Sequence, residues 1–150
     1  MPGLAAEYYQ EARLCWYCGS FVASILMTQL SFEEALRAQY RVARGVRGSL
    51  TGGKKVDDAG FSDLLQEAKT DGLLNAKEFR SLDELRRLRN PYVHSKDVGG
   101  SDKRPDFSEL TLKIKAPFLV SIGAEKEAER SIRTLVTLFP ILCKRFWGLA

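Results

Sequence analysis

The residues best suited to chemistry lie in one short segment, Arg89-Asn90-Pro91-Tyr92-Val93-His94. His94 is the only histidine in the chain, and an imidazole with an ordinary pKa of about 6.5 both accepts and releases protons near neutrality. Arg89 stays protonated and holds phosphate oxygens through a planar guanidinium. With the amide of Asn90 beside them, these groups suit metal-free phosphodiester chemistry. The same pattern also suits a plain helix C-terminus, where cations complement the helix dipole.

Basic residues form two groups in a chain of net charge +4. One group surrounds the histidine, within residues 86–96. The other begins with Arg37, Arg41 and Arg44, whose i, i+4, i+7 spacing places them on one helix face. Such a face either follows a nucleic-acid backbone or is simply solvated. The candidate nucleic-acid contacts from the two groups are Arg37, Arg41, Arg86, Tyr92 and Lys96.

Length and composition indicate one globular domain over residues 1–150. Hydrophobic residues make up 45% of the chain and charged residues 28%, which is typical of soluble domains. No apolar run is long enough to span a membrane, and the N-terminus has no signal-peptide pattern. Three cysteines without an export signal predict reduced thiols. We therefore expect a cytoplasmic protein with no membrane partner.

Most cofactor and metal motifs are absent or incomplete. A single histidine excludes a multi-histidine metal cage. Cys15 and Cys18 have CxxC spacing, but they lie in a helical pattern where cysteine is usually a small core residue. Gly48 to Lys54 matches part of a P-loop, without the Ser or Thr that must follow the lysine. We therefore expect neither a metal nor a cofactor.

Helical periodicity dominates the chain. The predicted helices are residues 4–18, 21–44, 61–72, 75–90 and 124–139. Breaks are expected near Gly19 and Gly72, and Ser20 and Asn75 are candidate caps of the helices that follow. In the last helix, the side chains expected to point inward are Ile132, Leu135, Val136 and Phe139. Glycine-rich residues 45–60 predict a mobile surface loop, and polar residues 95–109 predict an irregular insertion. Residues 110–115 alternate between apolar and polar types, so a short strand is one alternative there. Pro91 predicts a kink or a helix end, and Pro140 predicts a kink. The fold class is therefore an all-α bundle of about five helices with a polar insertion before the last.

The segment from Leu85 to His94 resembles the signature of the HEPN superfamily (higher eukaryotes and prokaryotes nucleotide-binding). That signature is an arginine, a polar residue, a few variable positions and a histidine at a helix end, which Arg89, Asn90 and His94 match. The segment Glu33 to Arg37 is similar to the family's E-x-x-L-[KR] pattern. The residues that lead into the signature, 64–74 and 82–88, are similar to those that usually precede it in the family. The resemblance covers roughly residues 5–95. It departs from several ribonuclease members, which place a tyrosine immediately before the histidine.

The resemblance implies a HEPN-like helical bundle, usually a homodimer, and in many members a metal-independent endoribonuclease acting as a toxin or antiviral defence effector. Here the expected reaction is attack of an RNA 2′-OH on the adjacent phosphate. His94 would be the general acid or base, Arg89 would hold the phosphate, and Asn90 would orient one of them. A single histidine per chain predicts a composite site in the homodimer, and an antitoxin is a further expected partner. The alternative is a non-catalytic HEPN module that binds RNA, a nucleotide or a protein.

Overall fold

The computed structural model describes residues 3–45, 47–93 and 117–148, with the backbone alone for residues 90–93 and 117–123. These residues fold almost entirely into helices. The helices are α1 Gly3–Tyr17, α2 Phe21–Arg44, α3 Phe61–Thr70, α4 Ala76–Val93 and α5 Pro117–Trp147. No strand occurs within the described ranges, where one isolated bridge joins Ser49 and Lys55. The predicted all-α bundle is confirmed, whereas the predicted insertion at 95–109 and strand at 110–115 lie outside the described residues.

The central element of the bundle is α2, which contacts each of the other four helices. Its buried face carries Phe32 and Leu36, both with no exposed surface. The Phe139 ring of α5 meets the Phe32 ring edge-on at 5.6 Å and stacks on the Tyr9 ring of α1 at 5.1 Å. Burying such side chains contributes roughly 1.5–3 kcal/mol each. The apolar stripe of α2 therefore organises the core.

The turns between helices follow local sequence signals. Gly19 ends the first helix with φ 71° and Gly72 follows the third, also with φ 71°, a conformation that glycine adopts without strain. Asn75 caps α4 as predicted, because its Oδ1 accepts from the backbone N–H of Glu78 at 2.9 Å while Glu78 Oε2 accepts from the N–H of Asn75 at 2.9 Å. Ser20 occupies the N-cap position of α2 as expected, but its side chain makes no capping hydrogen bond.

The C-terminal end of α5 is fastened to the start of α4. Arg145 donates from both terminal nitrogens to the Glu78 carboxylate, each at 2.7 Å, and also to the carbonyl of Leu73 at 2.7 Å. This two-point ion pair joins the last turns of α5 to the first turn of α4. It also leaves the two helices close at this end of the bundle.

Two helices continue past prolines. α4 continues beyond Pro91, so the alternative of an end at Asn90 is wrong, and α5 passes through Pro140. The kinks expected at the two prolines stay predictions. α5 also begins earlier than predicted, at Pro117, where the missing N–H of proline has no helical partner to lose. A proline removes one internal hydrogen bond, but residues beyond Pro140 such as Leu142 are fully buried. Tertiary packing of the last turns outweighs the local penalty.

None of the described helices combines the length and the apolar character needed to cross a membrane.

Side chains expected inside α5 divide between core and surface. Leu135 and Phe139 are buried as predicted, but Val136 is 42% exposed. Val136 therefore lies at the edge of the apolar face.

Candidate active site

Helix α4 positions the arginine of the candidate site. Glu78, Leu82, Leu85 and Arg89 follow one another at i, i+4, i+7 and i+11, so they leave the helix on one face. Leu82 and Leu85 are buried in the core. Arg89 continues this face near the helix C-terminus, where its side chain is half-buried. The guanidinium is therefore held by a packed helix rather than by a loop.

Arg89 differs in its ion pairs from the other half-buried arginines of α2 and α4. Its Nε is buried and has no hydrogen-bond partner within the described part of the chain, as is also true of the Nε of Arg37, but Arg89 has no carboxylate partner there either. By contrast, half-buried Arg37, Arg44 and Arg86 each pair with at least one carboxylate. Leaving a buried donor unpaired costs about 1–3 kcal/mol. Arg89 is thus a half-buried cation that lacks an anion among the described residues.

The neighbouring arginines Arg86 and Arg87 share one carboxylate, that of Asp83. Arg86 donates from Nε to Asp83 Oδ1 at 2.9 Å, and Arg87 donates from Nε to Oδ2 at 2.9 Å. Burial acts to raise the pKa of Asp83, but these two guanidinium groups outweigh it and hold the pKa below its usual value. Contact of Arg86 with nucleic acid stays a prediction. To bind a phosphate, Arg86 would have to break its bonds to Asp83 or use donors that are not bonded to it.

The remaining signature residues are only partly within the described structure. Asn90 and Tyr92 belong to the last turns of α4, where the backbone alone is described. His94 and Lys96 lie outside the described residues. The structure therefore places Arg89 and the backbone of Asn90 on one rigid element. The meeting of Arg89 with His94 stays a prediction.

The arginine stripe on α2 is occupied by acids and by a loop. Arg37 donates to Glu33 at 2.6 Å, to Glu34, and to the carbonyl of Ala59 at 2.9 Å, and its side chain is only 11% exposed. Burial acts to lower the pKa of Arg37, but the two glutamates raise it above its ordinary value. The alternative of a simply solvated face is wrong for Arg37. Its proposed contact with nucleic acid would require these bonds to break.

Arg41 and Arg44 extend this network to the loop and to α3. Arg41 donates to Asp57 at 2.7 Å, and Arg44 lies 2.5 Å from Glu67 and 2.8 Å from Asp71. The same Asp71 accepts from the hydroxyl of Tyr40 at 3.2 Å, and burial first, then Asp71, raises the pKa of Tyr40 well above its ordinary value. Arg41 as a nucleic-acid contact likewise stays a prediction.

The segment between α2 and α3 is anchored, contrary to our prediction of a mobile surface loop. Leu50, Val56 and Ala59 are buried in the core cluster. Thr51 donates its backbone N–H and its hydroxyl to Glu67 at 2.8 and 2.7 Å. Apolar residues inside a glycine-rich stretch were the available signal for this anchoring. The partial P-loop match has no phosphate cradle, because Lys54 pairs with Asp63 at 2.6 Å.

Glu67 is the residue of this network that the sequence analysis missed. It is 7% exposed and lies among Leu64, Leu65 and Ala68 on the buried face of α3. Burial acts to raise the pKa of Glu67, but hydrogen bonds from Thr51 and the charge of Arg44 hold it below its usual value. A carboxylate among the apolar positions of an amphipathic helix was the signal for a buried ion pair.

The cysteines do not form a metal site within the described residues. Across residues 3–45, 47–93 and 117–148, no three His, Cys, Asp or Glu side chains are grouped so as to hold an ion. Cys15 is half-buried, and burial, Glu11 and Cys18 raise its pKa, which disfavours the thiolate. Cys18 is exposed, so the expectation of a core residue is wrong there.

Comparison with known proteins adds no relative. The chain matches no protein-family model, and neither the curated proteins nor the solved structures contain a significant match.

Proposed function

We propose that this protein is a metal-independent endoribonuclease of the HEPN type. The observation that carries the proposal is Arg89, a half-buried guanidinium on a packed helix with no anionic partner among the described residues. Polar groups left unsatisfied in a folded core are concentrated at functional sites. A phosphate oxygen is the natural ligand of such a group, since arginine binds phosphate through parallel N–H bonds.

The proposed reaction is an in-line transesterification. The RNA 2′-OH attacks the adjacent phosphorus, the bond to the 5′-oxygen of the next nucleotide breaks, and the products are a 2′,3′-cyclic phosphate and a free 5′-OH. His94 transfers the proton, a role worth about 10² to 10⁴ in rate. Arg89 stabilises the charge that develops on the phosphate oxygens, and Asn90 orients the phosphate or His94. DNA lacks the 2′-OH and is not cut.

The reaction needs one group to take a proton and another to supply one. The chain contains a single histidine, so a two-fold homodimer that brings two His94 side chains together would supply both. Mixed dimers of wild-type and His94→Ala chains test this arrangement. We expect them to lose far more than half of the wild-type activity. Activity proportional to the wild-type fraction would contradict a shared site.

The direct test uses purified protein, labelled RNA and excess EDTA. We expect the wild type to cut RNA and to spare DNA, while Arg89→Ala and His94→Ala each lose about 10²-fold or more in rate. Arg87→Ala is the matched control, because Arg87 lies on the same helix with its side chain 72% exposed and paired to Asp83. Cleavage that survives in His94→Ala, or that requires a divalent metal, would overturn the proposal.

The biological setting that we propose is a toxin or defence effector restrained by an antitoxin. Such an enzyme degrades cellular RNA when its partner is absent. Induced expression of the wild type should therefore arrest growth, and His94→Ala at equal protein level should not. Arrest by both proteins would argue against an enzymatic toxin. A dimer that binds RNA but never cuts it would instead identify a non-catalytic HEPN module.

A further inference from the structure

A groove lies between the first turns of α4 and the C-terminal half of α5. Its volume is about 290 Å³, and it is lined by Lys77 and Ser81 of α4 and by Thr134, Thr137, Leu138 and Ile141 of α5, together with Asn75 and Glu78. We call it the α4–α5 groove. Among the helix pairs in contact, α4 and α5 touch each other least. A shallow channel is therefore left open between them.

The hydroxyl groups of the α4–α5 groove are arranged to accept hydrogen bonds. Thr134 donates its hydroxyl proton to the carbonyl of Arg130 at 3.0 Å, and Thr137 donates to the carbonyl of Arg133 at 2.7 Å. Both hydroxyl oxygens therefore keep lone pairs for an incoming donor. Ile141, which is 52% exposed, adds an apolar surface beside them. A nucleobase presents this combination, with apolar faces and a hydrogen-bonding edge.

The charge of the α4–α5 groove also favours a polyanion. Its carboxylate, Glu78, is neutralised by the two-point ion pair with Arg145. Lys77 and, one turn later, Arg80 are exposed on α4, and Lys144 is exposed one turn beyond Ile141. These cations give the groove and its edges a net positive charge, which attracts a phosphate backbone.

The α4–α5 groove and Arg89 lie on neighbouring faces of α4. Ser81, which lines the groove, and Arg89 are separated by about 12 Å along the helix axis and by roughly 80° around it. One short single strand can therefore reach from the groove to the arginine.

We propose that the α4–α5 groove binds a nucleoside of single-stranded RNA that flanks the bond cleaved at Arg89 and His94. This assignment rests on the proposed ribonuclease function and extends it by naming a substrate subsite. The apolar surface holds the base, the threonine oxygens accept from its amino groups, and Lys77 meets the adjoining phosphate. The groove thereby contributes affinity for longer substrates and a preference for bases that carry an exocyclic amino group.

The test compares two carboxylates placed on one helix of the full-length protein. Ile141→Glu puts a charge in the groove, whereas Val136→Glu puts the same charge at another exposed position, 42% exposed and outside the groove. In a His94→Ala background that does not cut, we expect Ile141→Glu to weaken binding of fluorescent RNA of about twelve nucleotides by tenfold or more. We expect less than about threefold from Val136→Glu.

A second readout separates the groove from the catalytic centre. In the cleaving protein, Ile141→Glu should lower kcat/KM for the long RNA and leave kcat/KM for a dinucleotide unchanged, because a dinucleotide at Arg89 does not reach the groove. Lys77→Ala, at an exposed position, should act in the same direction. If Ile141→Glu and Val136→Glu affect cleavage of the long RNA equally, the proposed role of the groove is overturned while the proposed ribonuclease function is not. Absence of any RNA cleavage by the wild type would overturn the proposed function itself.

Discussion

The two arginine groups of this protein look alike in sequence and differ in structure. On α2, Arg37, Arg41 and Arg44 each bind carboxylates and help to hold the preceding or following segments in place. On α4, two arginines share the single carboxylate of Asp83, and Arg89 has no anion among the described residues. The difference shows that the spacing of cations on a helix does not by itself reveal their role. The acids near them, on the same helix or on another segment, decide it.

Stability and function make opposite demands on such residues. A half-buried guanidinium stabilises the fold only when a carboxylate offsets its desolvation. A guanidinium that must bind substrate phosphate cannot keep a strong internal partner. The α2 group meets the first demand and Arg89 fits the second. Four measurements separate these roles, from the largest expected effect on stability to the smallest.

Replacing Arg44 should cause the largest loss of stability. Arg44→Met removes the cation that pairs with Glu67 and Asp71 and leaves Glu67, 8% exposed, as an uncompensated charge. We expect a loss of about 3 kcal/mol in the free energy of unfolding, measured by urea denaturation. The double variant Arg44→Met with Glu67→Gln should recover part of this loss. A single variant as stable as the wild type would show that the α2 network is not structural.

Acid should weaken the α2 network through Glu67. The folded-state pKa of Glu67 is lowered below its ordinary value of 4.5, so its contribution is fully present above that value and is lost as pH falls through the folded-state pKa. We expect Glu67→Gln to be less stable than the wild type at neutral pH. The difference in their free energies of unfolding should disappear as the pH falls below about 4.5. Urea denaturation at several pH values measures this difference. A gap that stays constant with pH would exclude this carboxylate as its source.

Releasing the arginines beside Asp83 should have a small effect on stability and a visible effect on RNA. In Asp83→Asn, Arg86 and Arg87 lose the one carboxylate that they share. We expect less than about 1 kcal/mol of destabilisation, since Arg87 is exposed. RNA binding should tighten, and the slope of the logarithm of the binding constant against the logarithm of the salt concentration should become steeper by about one. Unchanged affinity and unchanged slope would place this part of α4 away from the RNA.

Replacing Arg89 should cause no loss of stability. Arg89→Met keeps the length of the side chain and removes a charge that has no anionic partner among the described residues. We expect the free energy of unfolding to be unchanged or higher by about 1 kcal/mol, because an unpaired buried donor is removed, measured by urea denaturation in parallel with Arg44→Met. RNA cleavage should nevertheless be lost. A destabilisation as large as that of Arg44→Met would make Arg89 a structural arginine and remove the main support for the proposed site.

Much of the fold follows from local patterns that the sequence displays. The helical periodicity of α1 and α2, the glycine breaks at Gly19 and Gly72, and the capping box at Asn75 are all local, and each is observed close to its predicted position. Pro91 does not end α4 as one alternative had it, and α5 continues through Pro140 into buried residues. The local penalty of a proline competes with packing that a linear pattern does not display. Anchoring of the segment at Leu50 was missed for the same reason.

The sequence by itself determined the helical class, the order of the helices and the candidate chemistry of Arg89, Asn90 and His94, because propensity, capping and residue type are local properties. Only the tertiary structure decided which charges pair across separate segments. Glu67 meets Arg44 and Glu78 meets Arg145 across long stretches of chain, and spacing along a helix does not foretell such encounters. Burial then makes each pairing matter, since a charge removed from water must find a partner or remain costly. Arg89 is a half-buried cation for which the described fold supplies no carboxylate.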